Sequence, residues 1–512
     1  MRTWFVSISV CIFLSVPAQA QHTAAVQPAG APKLVLAIVI DQFRYDYLTR
    51  FRSDYTGGLR RLLDQGADFT NAHYEHIPTV TAVGHSTFLT GATPALSGII
   101  ANEWWDRTTG MAVTSVSDTQ THLLGASGTG ASPRRLLQST IGDDLKSSGK
   151  GRKVIGVSMK DRAAILPAGH TADAAYWFDS PTGNFVSSTY YFAALPPWVQ
   201  DFNAGRSSNH YAGLQWLQHK MPAAGPALNN AIETTPYINE IIQKFALRAL
   251  SAEKLGTTAK IDLLTVSYSG NDYVGHLYGP NSEEVHDAAR RVDALIGDLI
   301  RAAEAQAGAG NVLVVLTADH GVAPVPEENQ KRKLPGGRLD LTRLRSTLEL
   351  LLHDKFGGAN WISFAGEAGI YLNDETARAQ KIGLAEAEQT VADALRAMPH
   401  VFRAYTRTQL LNGAVAADQV GVDVRNGFNQ VRSANVILIL DPYWIFGGIA
   451  TTHSSPFDYD THVPVLFWGA GIKAGRYNSN VAPNDIAPTL ATILDIETPS
   501  GSVGRVLTEM LQ

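Results

Sequence analysis

The chain has 512 residues, 45% hydrophobic and 17% charged, with a formal charge of −5 at pH 7. That composition is globular, and its slight acidic excess argues against nucleic acid or an anionic membrane surface as a partner. The only cysteine, Cys11, lies in the N-terminal leader described next, so the mature chain has no disulfide, no thiolate metal ligand and no cysteine nucleophile.

Arg2, the apolar run Trp4 to Val16 and the small-x-small triplet Ala18-Gln19-Ala20 read as a secretory signal over residues 1–20, cleaved after Ala20. The protein is therefore expected in the periplasm or outside the cell. The apolar run is short for a membrane span, so no stable membrane partner is expected. Residues 21–32 form a Pro/Ala-rich tether, and residues 33–512 read as one α/β domain. Four continuous apolar runs read as strands buried on both faces, hence a mostly parallel sheet. They are Lys33 to Ile40, Lys153 to Ser158, Lys260 to Tyr268 and Asn311 to Thr317. Residues 171–225 lack a clean period and read as an irregular insertion, while Glu283 to Ala305 carries the apolar stripe of a helix. Residues of about 325–433 differ in character and read as an inserted smaller subdomain. Ala434 to Leu440 either pairs with that subdomain or returns to the main sheet, Val463 to Trp468 is a last strand, and a capped helix near Asn484 to Leu494 closes the chain.

The stretch Pro78 to Gly91 packs hydroxyls, glycines and a histidine together without any Lys, Arg, Asp or Glu. Thr81 there reads either as a nucleophile at a helix N-terminus, where free N–H groups favour an anion, or as part of a Thr-rich capped turn. Asp41, Asp272 and Asp319 each follow a predicted strand closely, and ligands gather at the carboxyl ends of parallel strands. Asp272 and His276 are spaced to share one helix face, and His320 adjoins Asp319. His453 and His462 add imidazoles, the commonest zinc donors. These ligands exceed what one zinc needs, so a two-metal site fits better, with metal coordination activating the Thr81 hydroxyl. Lys160 and Arg162, just past a strand end, are candidates to clamp phosphate oxygens.

The pattern Asp41, Thr81, Asn102, Lys160-x-Arg162, Asp272-x-x-x-His276, Asp319-His320 and His453 resembles the alkaline phosphatase superfamily. It is most similar to the threonine-nucleophile periplasmic bacterial phosphatases, relatives of the nucleotide pyrophosphatase/phosphodiesterases. The resemblance covers about Lys33 to Leu511 and implies a three-layer α/β/α sandwich. It also implies two Zn2+, one held by Asp272, His276 and His453, the other by Asp41, Asp319, His320 and the Thr81 oxygen. Thr81 would attack phosphorus to give a phospho-threonine that water then hydrolyses, and Asn102 would donate to a phosphate oxygen. The Lys160/Arg162 pair resembles the phosphate clamp of the monoesterase branch, so small-molecule phosphate monoesters are the expected substrates and a monomer the expected state. The alternative is a phosphodiesterase or nucleotide pyrophosphatase on the same scaffold. Val83 and Ser97 depart from the family pattern at positions that supply no ligand. Thr79 is a rival to Thr81 and His462 a rival to His453; the offset to Asn102 and the following Ser-Pro-x-x-Tyr-Asp favour Thr81 and His453.

Overall fold

The computed structural model describes Met1 and residues 31–511. The leader and most of the tether fall outside the described residues. Five strands form the parallel centre of an 11-stranded sheet. They are β1 (Leu34–Ile40), β2 (Gly151–Ser158), β3 (Ala174–Asp179), β4 (Ile261–Tyr268) and β5 (Val312–Thr317), laid side by side in the order β5-β1-β4-β2-β3. At both flanks the sheet turns antiparallel, with Val465–Gly469 against β5 and Asn184–Ser188 against β3.

β1, β4 and β5 are buried at every position, which is why their sequences are apolar without alternation. The alternation survives in which core each residue joins. Leu36, Ile38, Leu264, Val266 and Val314 pack with helices Tyr237–Ala252 and α4 (Glu283–Ala307) on one face. Val35, Ala37, Leu263, Leu313 and Val315 pack on the other face with the helix Ile486–Leu494 and with Phe88 and Leu89 of α1 (Thr81–Thr90). The result is an α/β/α sandwich.

Residues 171–225, read from sequence as an irregular insertion, instead supply β3 and its antiparallel neighbour Asn184–Ser188 to the main sheet. Tyr176, Trp177 and Phe178 are consecutive and all buried, so the period that marks a half-exposed strand is absent there. Only the part beyond these strands, with two short helices and the two-stranded ribbon Gln215–Trp216 and His219–Lys220, is irregular. The subdomain carries its own four-stranded sheet of Ile362–Gly366, Gly369–Leu372, Val436–Leu440 and Val401–Thr406, in that order. Val436–Leu440 thus pairs with the subdomain and carries it past residue 433. Helices Leu341–Phe356 and Leu384–Ala397 cover that sheet through Leu348, Leu352, Val391 and Leu395. Among the described residues no helix is long and apolar enough to cross a membrane.

Strand register sets the site. Ile40 pairs with Tyr268 and Val39 with Thr317, so the residues that follow these strands leave the sheet at one level. Two further helices start on this rim, α2 (Asp161–Ala168) after β2 and α3 (Gly270–Tyr278) after β4. α1 lies across the rim and is buried at all ten positions. Gly84 permits its close approach, because a Cβ there would stand 2.1 Å from the Asp319 carbonyl oxygen and 2.6 Å from its Cα. Both obstacles are backbone, so Gly84→Ala is expected to cost about 2–3 kcal/mol as an overpacked core site. Urea unfolding checks this; a wild-type midpoint would show that the helix does not press on the strand end.

Candidate active site and metal centre

Thr81 is the first residue of α1, and Val80, in extended conformation, precedes it as the cap without any side-chain hydrogen bond. The capped-turn reading of this stretch therefore does not hold: the first N–H groups of the helix are not used up by a local hydroxyl. The Ala82 N–H donates instead to Asn102 Oδ1 at 2.9 Å. That bond fixes the Asn102 carboxamide with its NH2 turned outward. The rival Thr79 is occupied elsewhere, its hydroxyl donating to the Ser455 carbonyl at 3.0 Å.

Asp41, Asp272 and Asp319 are all buried, as is Lys160. The Lys160 ammonium donates to Asp272 Oδ2 at 2.7 Å and to the Thr81 hydroxyl oxygen at 3.4 Å, and stands 3.1 Å from Asp41 Oδ2. Burial lowers the pKa of this ammonium, but the carboxylates of Asp272 and Asp41 outweigh it and hold the group above its ordinary value. Burial likewise penalises the Asp272 carboxylate, yet Lys160 and His276 hold its pKa well below the usual range. Arg162 follows on α2, and the charges of Asp161, Glu367 and Asp272 act on its guanidinium.

Three histidines are oriented in the same way. His276 Nδ1 bonds the Thr451 carbonyl at 2.9 Å, His453 Nδ1 the Thr79 carbonyl at 2.7 Å, and His320 Nδ1 the Gly321 carbonyl at 2.9 Å. A carbonyl only accepts, so each Nδ1 carries a proton and, in the neutral ring, Nε2 is the nitrogen with a lone pair; Asp272 raises the pKa of His276 against burial. His276 Nε2 lies 3.3 Å and His453 Nε2 3.8 Å from Asp272 Oδ1, and His320 Nε2 lies 3.3 Å from Asp319 Oδ2. Burial lowers the pKa of His320 to about 4 and holds that of His453 well below its ordinary value, the latter helped by its histidine neighbours. Both are neutral imidazoles near pH 7, the form that binds a cation.

The donor set fits divalent cations. Asp272, His276 and His453 offer ligand atoms all within 4.8 Å of one another. Asp319 Oδ2 and His320 Nε2 are buried without a hydrogen-bond partner, Asp41 Oδ2 has only the Lys160 ammonium at 3.1 Å, and such under-satisfied atoms are costly unless an ion or water takes them up. Orientation of each imidazole by a backbone carbonyl is the usual arrangement behind metal-ligating histidines.

The profile of the type I phosphodiesterase / nucleotide pyrophosphatase family matches residues 35–462. The chain belongs to this family. Among its relatives, alkaline phosphatase PhoV of Synechococcus elongatus is 37% identical over 100% of both chains. Alkaline phosphatase PafA of Elizabethkingia meningoseptica is 35% identical over 96% of each. The crystal structure of wild-type PafA matches with a TM-score of 0.88 at 34% identity, covering 94% of this chain and 99% of that one.

In this family member four further residues bear on the site that sequence reasoning did not assign. Gln42 follows Asp41 with a left-handed φ of 59°. Its N–H donates to Asp319 Oδ1 at 2.9 Å and its side-chain amide to Asp272 Oδ1 at 2.6 Å, tying the two carboxylates together. Ser267 donates to Asp41 Oδ1 at 2.5 Å. His85 lies one helical turn after Thr81, with Nδ1 2.9 Å from the Thr81 carbonyl and Nε2 3.0 Å from the Ser267 hydroxyl. Asp41, His85 and Asp319 also cluster within 4.8 Å, but both ring nitrogens of His85 are taken, which leaves no lone pair for a cation. Burial opposes protonation of His85, while the Asp41 and Asp319 carboxylates outweigh it and raise its pKa. The i to i+4 spacing from Thr81 was the signal for His85. The fourth residue, Glu367, comes from the subdomain and accepts from Asn102 Nδ2 at 3.1 Å; nothing in its local sequence announces it.

His462 stands apart. Its Nε2 bonds the Thr70 carbonyl at 3.1 Å and its ring stacks between Tyr45 and His73. His462→Ala is therefore expected to keep full metal content, whereas His453→Ala loses about one metal equivalent per chain. Elemental analysis of the two purified variants decides; equal loss would reverse the choice of ligand.

Proposed function

We propose that the protein is a zinc-dependent phosphomonoesterase acting on small-molecule phosphate monoesters, with Thr81 as nucleophile and a phospho-threonine intermediate. The observation that carries this reading is the Thr81 hydroxyl at the uncapped start of a buried helix, 3.4 Å from a buried ammonium. Asp272, His276 and His453 would hold one Zn2+, and Asp41, Asp319, His320 and the Thr81 oxygen the other. When bound, the two cations supply the charge that makes an alcohol nucleophilic and neutralises a leaving oxygen. PhoV and PafA, both named alkaline phosphatases, support the reaction class.

The chain's own groups divide the remaining work. The free N–H groups at the start of α1 and the helix dipole favour an anion beside Thr81. Lys160 is held protonated, so it serves as fixed positive charge rather than as a base. Asn102, locked by the Ala82 N–H, presents its NH2 to a phosphate oxygen, and Arg162 can take two oxygens at once. Thr81 Oγ attacks phosphorus while the ester oxygen leaves as the alcohol with a proton; water then displaces Thr81 and releases phosphate. A leader over residues 1–20 supports a periplasmic or secreted site of action. The inserted subdomain, on this reading, is part of one catalytic domain spanning residues 33–512.

Thr81→Ala is expected to lower turnover by roughly 10^4-fold or more while leaving metal content intact; near-native rates would replace the covalent route by direct attack of water. A second reading, phosphodiester hydrolysis, draws on the family profile. Lys160 and Arg162 favour the monoester, because a diester has one oxygen fewer to clamp. Arg162→Ala should reduce kcat/KM for an aryl phosphate about a hundredfold and for its methyl diester far less. Equal losses on both, or a wild type faster on the diester, would favour the second reading.

A further inference from the structure

Glu367 sits at the tip of the hairpin formed by Ile362–Gly366 and Gly369–Leu372. The flanks of that tip are pinned. Ala368 and Tyr371 are buried in one cluster with Ala82, Ile100, Ala101 and Trp104, the segments that carry Thr81 and Asn102, and the Tyr371 hydroxyl donates to the Arg432 carbonyl at 2.8 Å. The Glu367 side chain reaches solvent, yet the walls around it desolvate the carboxyl and raise its pKa, with Arg162 and Asn102 opposing. Its placement follows from the packing of Ala368 and Tyr371 just after it, not from a free loop.

The orientation of Asn102 makes this placement consequential. Its carbonyl oxygen is engaged by the Ala82 N–H, so its NH2 can point only outward, and the Glu367 carboxylate meets it there at 3.1 Å. The Arg162 guanidinium acts on the same carboxylate. One anion of the protein thus meets Asn102, assigned to hold the substrate's anion, and lies within the field of Arg162, assigned the same task.

We infer that Glu367 is a specificity-determining residue of the phosphatase site: its carboxylate occupies the anion position at Asn102 and sets how weakly the site holds phosphate. The inference rests on the phosphomonoesterase reading. A phosphate dianion arriving at Asn102 either displaces Glu367, which forfeits its bond to Asn102, or binds beside a like charge. Both cost affinity, and a dianion feels the like charge more than a monoanionic diester does. The consequence is a site that releases inorganic phosphate readily.

The test compares wild type with Glu367→Gln, which keeps the shape and an acceptor for Asn102, and with Glu367→Ala. Binding of inorganic phosphate to the metal-loaded proteins is measured by calorimetry, alongside its inhibition constant and the KM values for an aryl phosphate and its methyl diester. Glu367→Gln is expected to bind phosphate roughly tenfold tighter, to lower KM for the monoester, and to change the diester by less than about threefold. Unchanged or weaker phosphate binding in Glu367→Gln would overturn the inference. So would tightening confined to Glu367→Ala, which would mark a steric plug, or equal gains on monoester and diester. If none of the three proteins binds phosphate or turns over an ester, the phosphatase reading itself falls and this inference with it. Melting temperatures of the two variants within a few degrees of wild type are expected for a residue exposed at a hairpin tip.

Discussion

Three carboxylates driven into the protein interior govern this structure. Asp41, Asp272 and Asp319 are 0%, 4% and 1% exposed, and buried charge is tolerated only when it is paired. The parallel register brings Asp41 and Asp319 out of the sheet side by side and starts α3, with Asp272, beside them. The Lys160 ammonium reaches two of the three, and His85 stands under the other pairing, 3.5 Å from Asp41 and 3.4 Å from Asp319. Gln42 accepts a left-handed backbone to bond both Asp319 and Asp272. What remains, three carboxylates against one buried ammonium and one imidazole, with Asp319 Oδ2 and His320 Nε2 lacking hydrogen-bond partners, is a deficit of positive charge that divalent cations would fill.

The same constraint explains how the histidines are held. Each turns Nδ1 toward a main-chain carbonyl, and those carbonyls belong to Thr451, Thr79 and Gly321, on segments far apart in the chain. A carbonyl permits one tautomer only, so the fold selects the face each ring presents before any ligand arrives. Thr79 serves in this way twice, holding His453 through its carbonyl and the Ser455 carbonyl through its hydroxyl. Thr79, two residues before Thr81, is therefore part of the scaffold.

The subdomain is more than decoration on the sandwich. Its hairpin shares a hydrophobic cluster with the start of α1 and with the Ile99 to Ala101 segment leading into Asn102. The Asn102 side of the site is consequently walled by a second sheet, while the side of the buried aspartates and histidines is walled by the first. A change in the subdomain core, around Leu348, Trp361 and Val391, reaches the chemistry through that hairpin. Carboxylates, imidazoles and the Lys160 ammonium gather at the sheet rim, while Asn102 meets the Glu367 carboxylate at the hairpin.

Much of this was legible along the chain. The apolar runs ending in Asp, the charge-free threonine stretch and the His spacings marked the parallel centre, Thr81 and the ligand set, because a buried strand and a metal donor each demand particular residue types at particular positions. Where burial is complete and consecutive, as at Tyr176 to Phe178, the pattern gives no period and β3 was read as irregular. Gln42, Ser267 and Glu367 carried no comparable mark, and His85 only its spacing of one helical turn from Thr81. Residue types and local spacing determined by themselves which side chains could act as nucleophile, clamp and ligand. Which imidazole nitrogens face the centre, which of His453 and His462 lies there, and that a glutamate of the subdomain stands beside Asn102 were decided only by the tertiary structure. These depend on hydrogen bonds and packing between segments up to hundreds of residues apart, and no local pattern encodes a contact at that separation.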